Sequence, residues 1–173
     1  MEVTNNWMEG IFFYETTIRD LILKAKFLND EAAAVLLMDL VETFFLNNEQ
    51  CKKNIIKFSP VAVAYIPTHW SRRKWRGFDL PHMFALKIAK ELGVSVSHIL
   101  KISGIRPRQS SLKKGMRSQA IKGAFKVCST KTHFERLLLV DDIITTGATF
   151  SEASIILKQS VENIRCLAIA KTP

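Results

Sequence analysis

The chain has 173 residues, 47% of them hydrophobic, which suits a single α/β domain over residues 1–173 and leaves too little chain for two. The longest uninterrupted apolar run is the seven residues 32–38, so we expect neither a membrane span nor a secretory signal, and a cytoplasmic location. Three cysteines and four histidines lack the spacing of a disulfide framework or a structural zinc site.

The formal net charge of +9 is concentrated in the middle of the chain. Residues 61–130 carry a net charge of +12, whereas residues 1–60 carry −3 and residues 131–173 carry zero. Such a basic segment attracts polyanions, and the candidates are pyrophosphate, single-stranded nucleic acid and an anionic membrane face. A solvated surface that favours solubility is the remaining explanation, and charge alone does not choose among them.

The N-terminal part, residues 1–60, is predicted to be mainly helical. A short apolar strand is predicted at residues 11–14, and apolar residues then recur at helical spacing over residues 18–25. A second helix over residues 32–46 is rich in helix-forming residues and is capped by Asp30 or the asparagine before it. We expect these helices to pack over a sheet.

From residue 61 onward, strands are predicted to alternate with helices. Strands are predicted at residues 61–66, 99–103, 124–127, 137–140 and 164–170, and helices at residues 80–92 and after Thr149. This order predicts a mostly parallel sheet flanked by helices, with a ligand crevice at the carboxyl ends of the strands. A basic loop is predicted after residue 66, and a long mobile loop at residues 104–119.

The segment 137–149, LLLVDDIITTGAT, constrains function most sharply. Four apolar residues predict a strand covered on both faces, with Asp141 and Asp142 at its carboxyl end. The turn that follows supplies hydroxyls, backbone amides and one position without Cβ, at Thr145, Thr146, Gly147, Ala148 and Thr149. A helix begins there, and its unpaired N–H groups and partial positive charge make the turn a candidate phosphate site.

The two acids and the phosphate turn are expected to bind one ligand. The carboxylates would repel a second phosphate, but they accept hydrogen bonds from vicinal ribose hydroxyls. A ribose 5-phosphate satisfies both halves. An ordinary strand–turn–helix junction with a threonine-rich cap is the alternative, and a Walker loop is excluded because no GxxxxGK[ST] occurs.

This segment resembles the 5-phosphoribosyl-1-pyrophosphate (PRPP) motif of the type I phosphoribosyltransferases. The resemblance implies their fold and a transfer of a phosphoribosyl group with release of pyrophosphate. It implies a pyrophosphate loop, for which the candidates are Pro67, Thr68, His69, Arg72 and Arg76. It also implies catalytic roles, for which the candidates are Asp141, Asp142, Lys113, Lys114 and Arg117. Mg²⁺ would arrive with PRPP, and no direct protein ligand is expected for it other than Asp141 and Asp142.

Over most of its length the sequence resembles the ComF family of competence-associated phosphoribosyltransferase-like proteins. The marks are, in order, YETTIRDLILKAKF, IPTHWSRRKWRGF, Gln109 with Leu112 and Arg117, GAF at residues 123–125, and the PRPP motif. The resemblance implies a role in natural transformation and the uptake of single-stranded DNA, with competence-machinery proteins as partners. The sequence departs from the family at Asp79, Leu80 and Ala120, where the family favours Asn, Gln and Asn, and it contains no four-cysteine zinc ribbon.

Two classes of function stay open. The first is a PRPP-dependent enzyme whose acceptor the sequence does not disclose. The rival is a non-catalytic module that keeps the nucleotide site and binds single-stranded DNA or an acidic partner through its basic centre, where Trp70 and Trp75 interleave with basic residues. A regulator whose mobile loop orders on PRPP is a further alternative. The basic residues of both loops also suit a solvated surface, and His69 suits either a general base or a surface position.

Overall fold

The computed structural model describes residues 7–103, 123–128 and 132–173. In these ranges the strands are β1 (Met8–Phe13), β2 (Ala62–Tyr65), β3 (Ser95–Ser97), β4 (Leu100–Ile102), β5 (Phe125–Val127), β6 (Phe134–Ile144) and β7 (Val161–Lys171). The helices are α1 (Thr16–Phe27), α2 (Glu31–Asn47), α3 (Glu49–Phe58), α4 (Trp70–Arg76), α5 (Leu80–Leu92) and α6 (Ala148–Leu157). Within the same ranges, no helix combines the length and the apolar character needed to cross a membrane.

The described residues contain a five-stranded parallel sheet in the order β1-β7-β6-β2-β3. β6 lies between β2 and β7, and its residues 137–140 pair with a strand on each side. These four apolar side chains are fully buried, as predicted for a strand covered on both faces. The predicted fold class, a mostly parallel sheet flanked by helices, is confirmed.

Helices cover both faces of the sheet. On one face lie α1, α2, α3 and α5, with fully buried side chains that include Ile22, Phe45 and Phe84. On the other face lie α6 and the short β4–β5 pair, where Phe150 and Leu157 are buried. Burying each large apolar side chain contributes about 1.5–3 kcal/mol, so these two layers stabilise the fold. The predicted packing of the N-terminal helices over the sheet is confirmed.

Local signals in the sequence set the ends of two helices. α2 begins after Asp30, whose Oδ1 accepts a hydrogen bond from the Ala33 amide at 2.9 Å. α5 covers Leu80–Leu92 as predicted and ends at Gly93, whose φ of 66° is readily adopted only without a Cβ.

The structure differs from the prediction in three places. The N-terminal part contains an additional helix, α3, because Asn48 accepts a hydrogen bond from the Cys51 amide at 3.0 Å and caps a new helix where α2 ends. The expected basic loop is wrong in part, since Arg72 and Arg76 lie in α4. The strand predicted at residues 99–103 is β4, which pairs antiparallel with β5 apart from the main sheet, while the unpredicted β3 forms an edge of that sheet.

Candidate functional site

The neighbouring strands β2 and β6 continue in opposite directions across the sheet. From β2 the chain passes through α5 to β3, and from β6 it passes through α6 to β7 on the other side. Such a switch point opens a crevice at the carboxyl ends of the two strands. Residues 66–69 leave β2 at this crevice, and residues 141–149 complete β6 and lead into α6. The Ile66 amide donates to the Val140 carbonyl at 2.9 Å, which holds the two strand ends together.

The acid pair at the end of β6 is buried and partly satisfied within the protein. Asp141 and Asp142 each have a relative exposure of 9%. Oδ1 of Asp141 accepts a hydrogen bond from the Asp142 amide at 2.8 Å, and Oδ2 of Asp142 lies 2.7 Å from Nζ of Lys26. Among the described residues, the second oxygen of each carboxylate has no hydrogen bond or ion pair, so each can still accept one from a ligand.

Lys26 is a site residue that the sequence reasoning missed. It comes from α1, on the face of the sheet opposite to α6, and the two side chains of the ion pair are only 20% and 12% exposed. A signal was present, because Lys26 follows the fully buried Ile22 by four residues and so lies on the apolar stripe of α1. A lysine on a buried stripe needs a counter-charge, but the sequence does not say which acid provides it.

The environment of the acid pair favours the protonated form of Asp141. Burial raises the pKa of Asp141 well above its usual value, and the adjacent Asp142 carboxylate raises it further. Lys26 and the Asp142 amide act in the opposite direction, and Asp79 adds to the rise. The Asp141 carboxyl group and the Asp142 carboxylate that pairs with Lys26 can each form one further hydrogen bond with a ligand. Such a pair suits the two hydroxyls of a ribose.

Asp79 is the second residue that the sequence reasoning did not assign to the site. It precedes α5 and is 5% exposed, and its Oδ1 accepts a hydrogen bond from the Thr68 hydroxyl at 2.8 Å. The contact ties the loop after β2 to the start of α5. Together with its effect on Asp141, it makes Asp79 a third buried carboxyl group of the crevice. The sequence drew attention to this position only as a departure from the ComF family.

The phosphate turn is exposed, and hydrogen bonds from Thr172 hold its first part. Thr145 and Thr146 are exposed, and Gly147 stands at the N-cap of α6. The amide of Thr172 donates to the Ile144 carbonyl at 2.9 Å, and its hydroxyl donates to the Thr145 carbonyl at 3.3 Å. The first turn of α6 contains no acidic residue, so the positive end of its dipole is not offset there.

Gly147 adopts a backbone conformation that disfavours other residues. Its φ is 72°, in the left-handed region, and an added Cβ would meet Sδ of Met8 at 2.9 Å. Ala148 and Thr149 then form the first turn of α6, with the Ala148 amide 3.4 Å from Oγ1 of Thr146. The five predicted phosphate-turn residues are therefore contiguous at a helix amino terminus.

The loop after β2 is shorter than expected. It consists of residues 66–69, and Nδ1 of His69 lies 2.7 Å from Oγ of Ser71 at the start of α4. Arg72 and Arg76 belong to α4 rather than to a loop, and their predicted contact with pyrophosphate stays a prediction. A helical turn satisfies their backbone groups locally, which a basic sequence does not prevent.

The flexible-loop candidates Lys113, Lys114 and Arg117 lie outside the described residues, and their roles stay predictions. The strands before and after this segment, β4 and β5, pair with each other. The Gly123 amide donates to Oε1 of Glu152 in α6 at 2.7 Å. The chain therefore returns from this segment beside the helix that carries the phosphate turn.

The acid pair does not fit a directly bound magnesium ion. In the described part of the chain, no group of three or more His, Cys, Asp or Glu side chains could hold a metal ion. The Lys26 ammonium is also paired with one oxygen of Asp142, and it would repel a divalent cation placed between the acids. The arrangement therefore favours hydrogen bonding by Asp141 and Asp142 over direct ligation of a metal ion.

Comparison with solved structures gives matches to phosphoribosyltransferases at low similarity. Adenine phosphoribosyltransferase from Leishmania donovani matches with a TM-score of 0.45 and 11% identity, covering 99% of this chain and 86% of that chain. The Leishmania tarentolae enzyme matches with a TM-score of 0.44 and 12% identity, covering 86% and 74% respectively. Similarity at this level does not establish a shared function.

Comparison of sequences gives closer relatives, although no protein-family model matches the chain. Competence protein F of Haemophilus influenzae is 30% identical over 116 residues, which are 65% of this chain and 51% of that protein. DNA utilization protein YhgH of Salmonella typhi is 27% identical over 116 residues, 65% of this chain and 50% of that protein. The chain thus spans about half the length of the curated relatives it matches. It is related by sequence to Competence protein F and DNA utilization protein YhgH, and the resemblance to the ComF family is confirmed.

Proposed function

We propose that the chain binds PRPP and transfers its phosphoribosyl group to an acceptor, with release of pyrophosphate. One observation carries the proposal. A buried acid pair that keeps one oxygen of each carboxylate for a ligand shares a sheet switch point with an exposed, glycine-containing turn at a helix amino terminus. A ribose 5-phosphate is the ligand class that uses both features together.

Each half of the site is proposed to bind a different part of PRPP. The 5-phosphate accepts hydrogen bonds from the backbone amides and hydroxyls of residues 145–149 at the positive end of the α6 dipole. The 2- and 3-hydroxyls of the ribose reach Asp141 and Asp142. The pyrophosphate then lies toward the loop of residues 66–69, beside the basic helix α4.

The reaction breaks the bond between C1 of the ribose and the pyrophosphate oxygen, which leaves with the electron pair, while the acceptor forms the new bond to C1. Positive charge develops on C1 and the ring oxygen, and negative charge develops on the departing pyrophosphate. The Asp142 carboxylate favours the first change, and the basic residues of α4 favour the second. Holding the sugar at both ends also places C1 at a fixed distance from the acceptor.

Magnesium belongs to this proposal as a companion of the ligand. Pyrophosphate oxygens and water are suitable ligands for Mg²⁺, which is usually held through few protein groups. Since the acid pair does not fit the ion directly, we assign no protein ligand to it.

The names of the relatives, which refer to competence and DNA utilization, support a role in the handling of DNA taken up by competent cells. We propose competence-machinery proteins as partners in that role. A cytoplasmic location is part of the same proposal, because a phosphorylated sugar does not cross a membrane unaided. Each of these roles depends on the shared 116 residues, which are about half of the length of those relatives.

Calorimetry tests the binding proposal directly. PRPP is titrated with and without Mg²⁺, and ribose 5-phosphate and AMP serve as controls. We expect PRPP to bind in the presence of Mg²⁺ and ribose 5-phosphate to bind more weakly, because it lacks the pyrophosphate. Release of pyrophosphate on addition of an acceptor would establish transfer. Absence of PRPP binding under both conditions would refute the proposal.

A second candidate is a module that binds single-stranded DNA without catalysis, and an exposed apolar cluster favours it. Trp75 in α4 is 60% exposed, and Phe27 and Leu28 in the α1–α2 turn are 62% and 71% exposed. Nδ2 of Asn29 donates to the Trp75 carbonyl at 3.2 Å, which brings this turn beside α4. Aromatic rings next to basic residues such as the exposed Lys74 can stack on bases and contact the phosphate backbone.

Fluorescence anisotropy with a labelled oligonucleotide tests this candidate. The affinity should fall steeply with salt, and Trp75→Ala should weaken binding by about 1–3 kcal/mol. The control is Ile155→Ala, on the exposed side of α6 at 59% exposure, which should bind as the wild type does. Equal losses in both variants, or binding that does not depend on salt, would argue against a DNA-binding face at α4.

A further inference from the structure

The Lys26–Asp142 ion pair joins an N-terminal helix to the crevice, and hydrophobic packing alone does not require it. α1 already contacts the core through Leu21, Ile22 and Ala25, which are 8%, 0% and 0% exposed. A buried ion pair adds little net stability compared with apolar residues of the same size, because both charges lose their hydration. The pair therefore indicates a role connected with the ligand.

The charge of the crevice indicates what this role is. Asp79, Asp141 and Asp142 are all buried there, and both Asp79 and Asp142 raise the pKa of Asp141. Lys26 forms an ion pair with Asp142 of this group, at 2.7 Å. A ligand that carries a phosphate and a pyrophosphate would be repelled by carboxylates whose charge was not balanced.

We propose that Lys26 is the resident cation of the ribose site, which holds Asp142 in place for the ribose hydroxyls and occupies the position where a divalent cation would otherwise join the acids. The proposal deepens the proposed function and rests on it. It makes Lys26 a positioning residue that acts through Asp142, since its ammonium contacts the carboxylate rather than the reacting atoms. In this site a lysine ammonium group provides the counter-charge of the acids, whereas in other sites a bound metal ion provides it.

Two readouts on the full chain test the proposal. Calorimetry measures PRPP affinity in the presence of Mg²⁺, and electron paramagnetic resonance measures the binding of Mn²⁺ alone, without a sugar phosphate. For Lys26→Met we expect a loss of PRPP affinity of about tenfold or more and a gain of Mn²⁺ binding over the wild type, because the acids lose their counter-charge. Lys26→Arg should restore much of the PRPP affinity and abolish the gain in Mn²⁺ binding.

The matched control is Lys24→Met, two positions earlier on the same helix at an exposed position, which should behave as the wild type in both readouts. If Lys26→Met lowers only the melting temperature and changes neither readout, Lys26 is structural and the proposal is overturned. If Lys26→Met does not fold, Lys26→Gln removes the charge, keeps a hydrogen-bond donor for Asp142 and is read in the same way.

The two readouts also distinguish a failure of the proposed function from a failure of the role assigned to Lys26. If the wild type fails to bind PRPP, the proposed function fails, and the Mn²⁺ readout alone then decides whether Lys26 is the resident cation. If the wild type binds PRPP and Lys26→Met binds it equally well without gaining Mn²⁺, the proposed function stands and the role of Lys26 is refuted.

Discussion

The acid pair and the phosphate turn are only a few residues apart in the sequence, but they differ in burial and in the number of hydrogen bonds they form within the protein. The acids are buried, and each has one oxygen engaged by an internal donor, one of which comes from α1. The turn is exposed at Thr145 and Thr146 and is held mainly through Thr172. The ability of the acids to bind a ligand therefore depends on tertiary packing. The ability of the turn to bind a phosphate depends on its local backbone conformation. Substitutions in the two halves should fail in different ways.

The largest effect is expected in the acid half. Asp141→Asn combined with Asp142→Asn should weaken PRPP binding by about 100-fold or more, because two hydrogen bonds to charged or strongly polarised groups are lost. Calorimetry measures the affinity, and circular dichroism checks the fold. Asp20→Asn, at an exposed position on α1, is the control. A folded double variant with unchanged affinity would contradict the assignment of the acids.

The next largest effect is expected in the turn. Gly147→Val should cost about 1–3 kcal/mol of stability, because a branched residue is strained at this φ, and it should also weaken PRPP binding about tenfold or more. Gly93→Val is the matched control, since Gly93 has a φ of 66° at the end of α5 and its Cβ would meet no neighbouring atom within 4 Å. We expect it to lose similar stability while keeping its PRPP affinity. Equal affinities for both variants would refute the phosphate cradle.

A smaller effect is expected on the pH dependence of stability, which reports on the acid pair without a bound ligand. The pKa of Asp141 is raised from a value of 3.8, so the folded state holds this proton more tightly than the unfolded state. The stability that this proton contributes is fully present below about pH 3.8, the pKa of the unfolded state. It is lost as the pH rises from there through the raised pKa of the folded state. Asp141→Asn removes this decrease, so its melting temperature relative to the wild type should be higher at neutral pH than in acid.

Thermal melts between about pH 3 and pH 8 check this prediction, with roughly 2–4 °C expected per kcal/mol for a chain of this size. A parallel pH dependence for the wild type and the variant would show that Asp141 does not titrate as its environment indicates. Asp142→Asn should behave differently and lower the melting temperature, because Lys26 would be left without its counter-charge.

The smallest effect concerns the third carboxyl group. Asp79→Asn should keep the hydrogen bond from Thr68, since an amide oxygen also accepts, while it removes one negative charge from the crevice. We expect PRPP affinity to rise a few-fold and to depend less on salt. Calorimetry at two ionic strengths measures both. A loss of affinity would indicate that the charge of Asp79, rather than its hydrogen bond, supports the loop after β2.

Much of the fold follows from local patterns, and the errors have physical causes. The buried run at residues 137–140 and the glycine after α5 predict their elements because strand burial and a left-handed helix end are local requirements. The sequence predicts that the second helix ends near residue 46, and Asn48 just beyond that end caps a further helix, because an asparagine suits both positions. The basic residues after β2 predict a loop, but charge does not oppose a short helix such as α4.

The sequence by itself determined most of the strands and helices, the acid pair followed by a glycine-containing turn, and the concentration of positive charge in the centre. These features depend on neighbouring residues, whose spacing and backbone preferences act over a few positions. Only the tertiary structure decided that Lys26 of α1 meets Asp142, that Asp79 joins the same crevice, and that the two loops share one switch point. Those contacts join residues far apart in the chain, and the packing of helices on a sheet, which no local pattern encodes, brings them together.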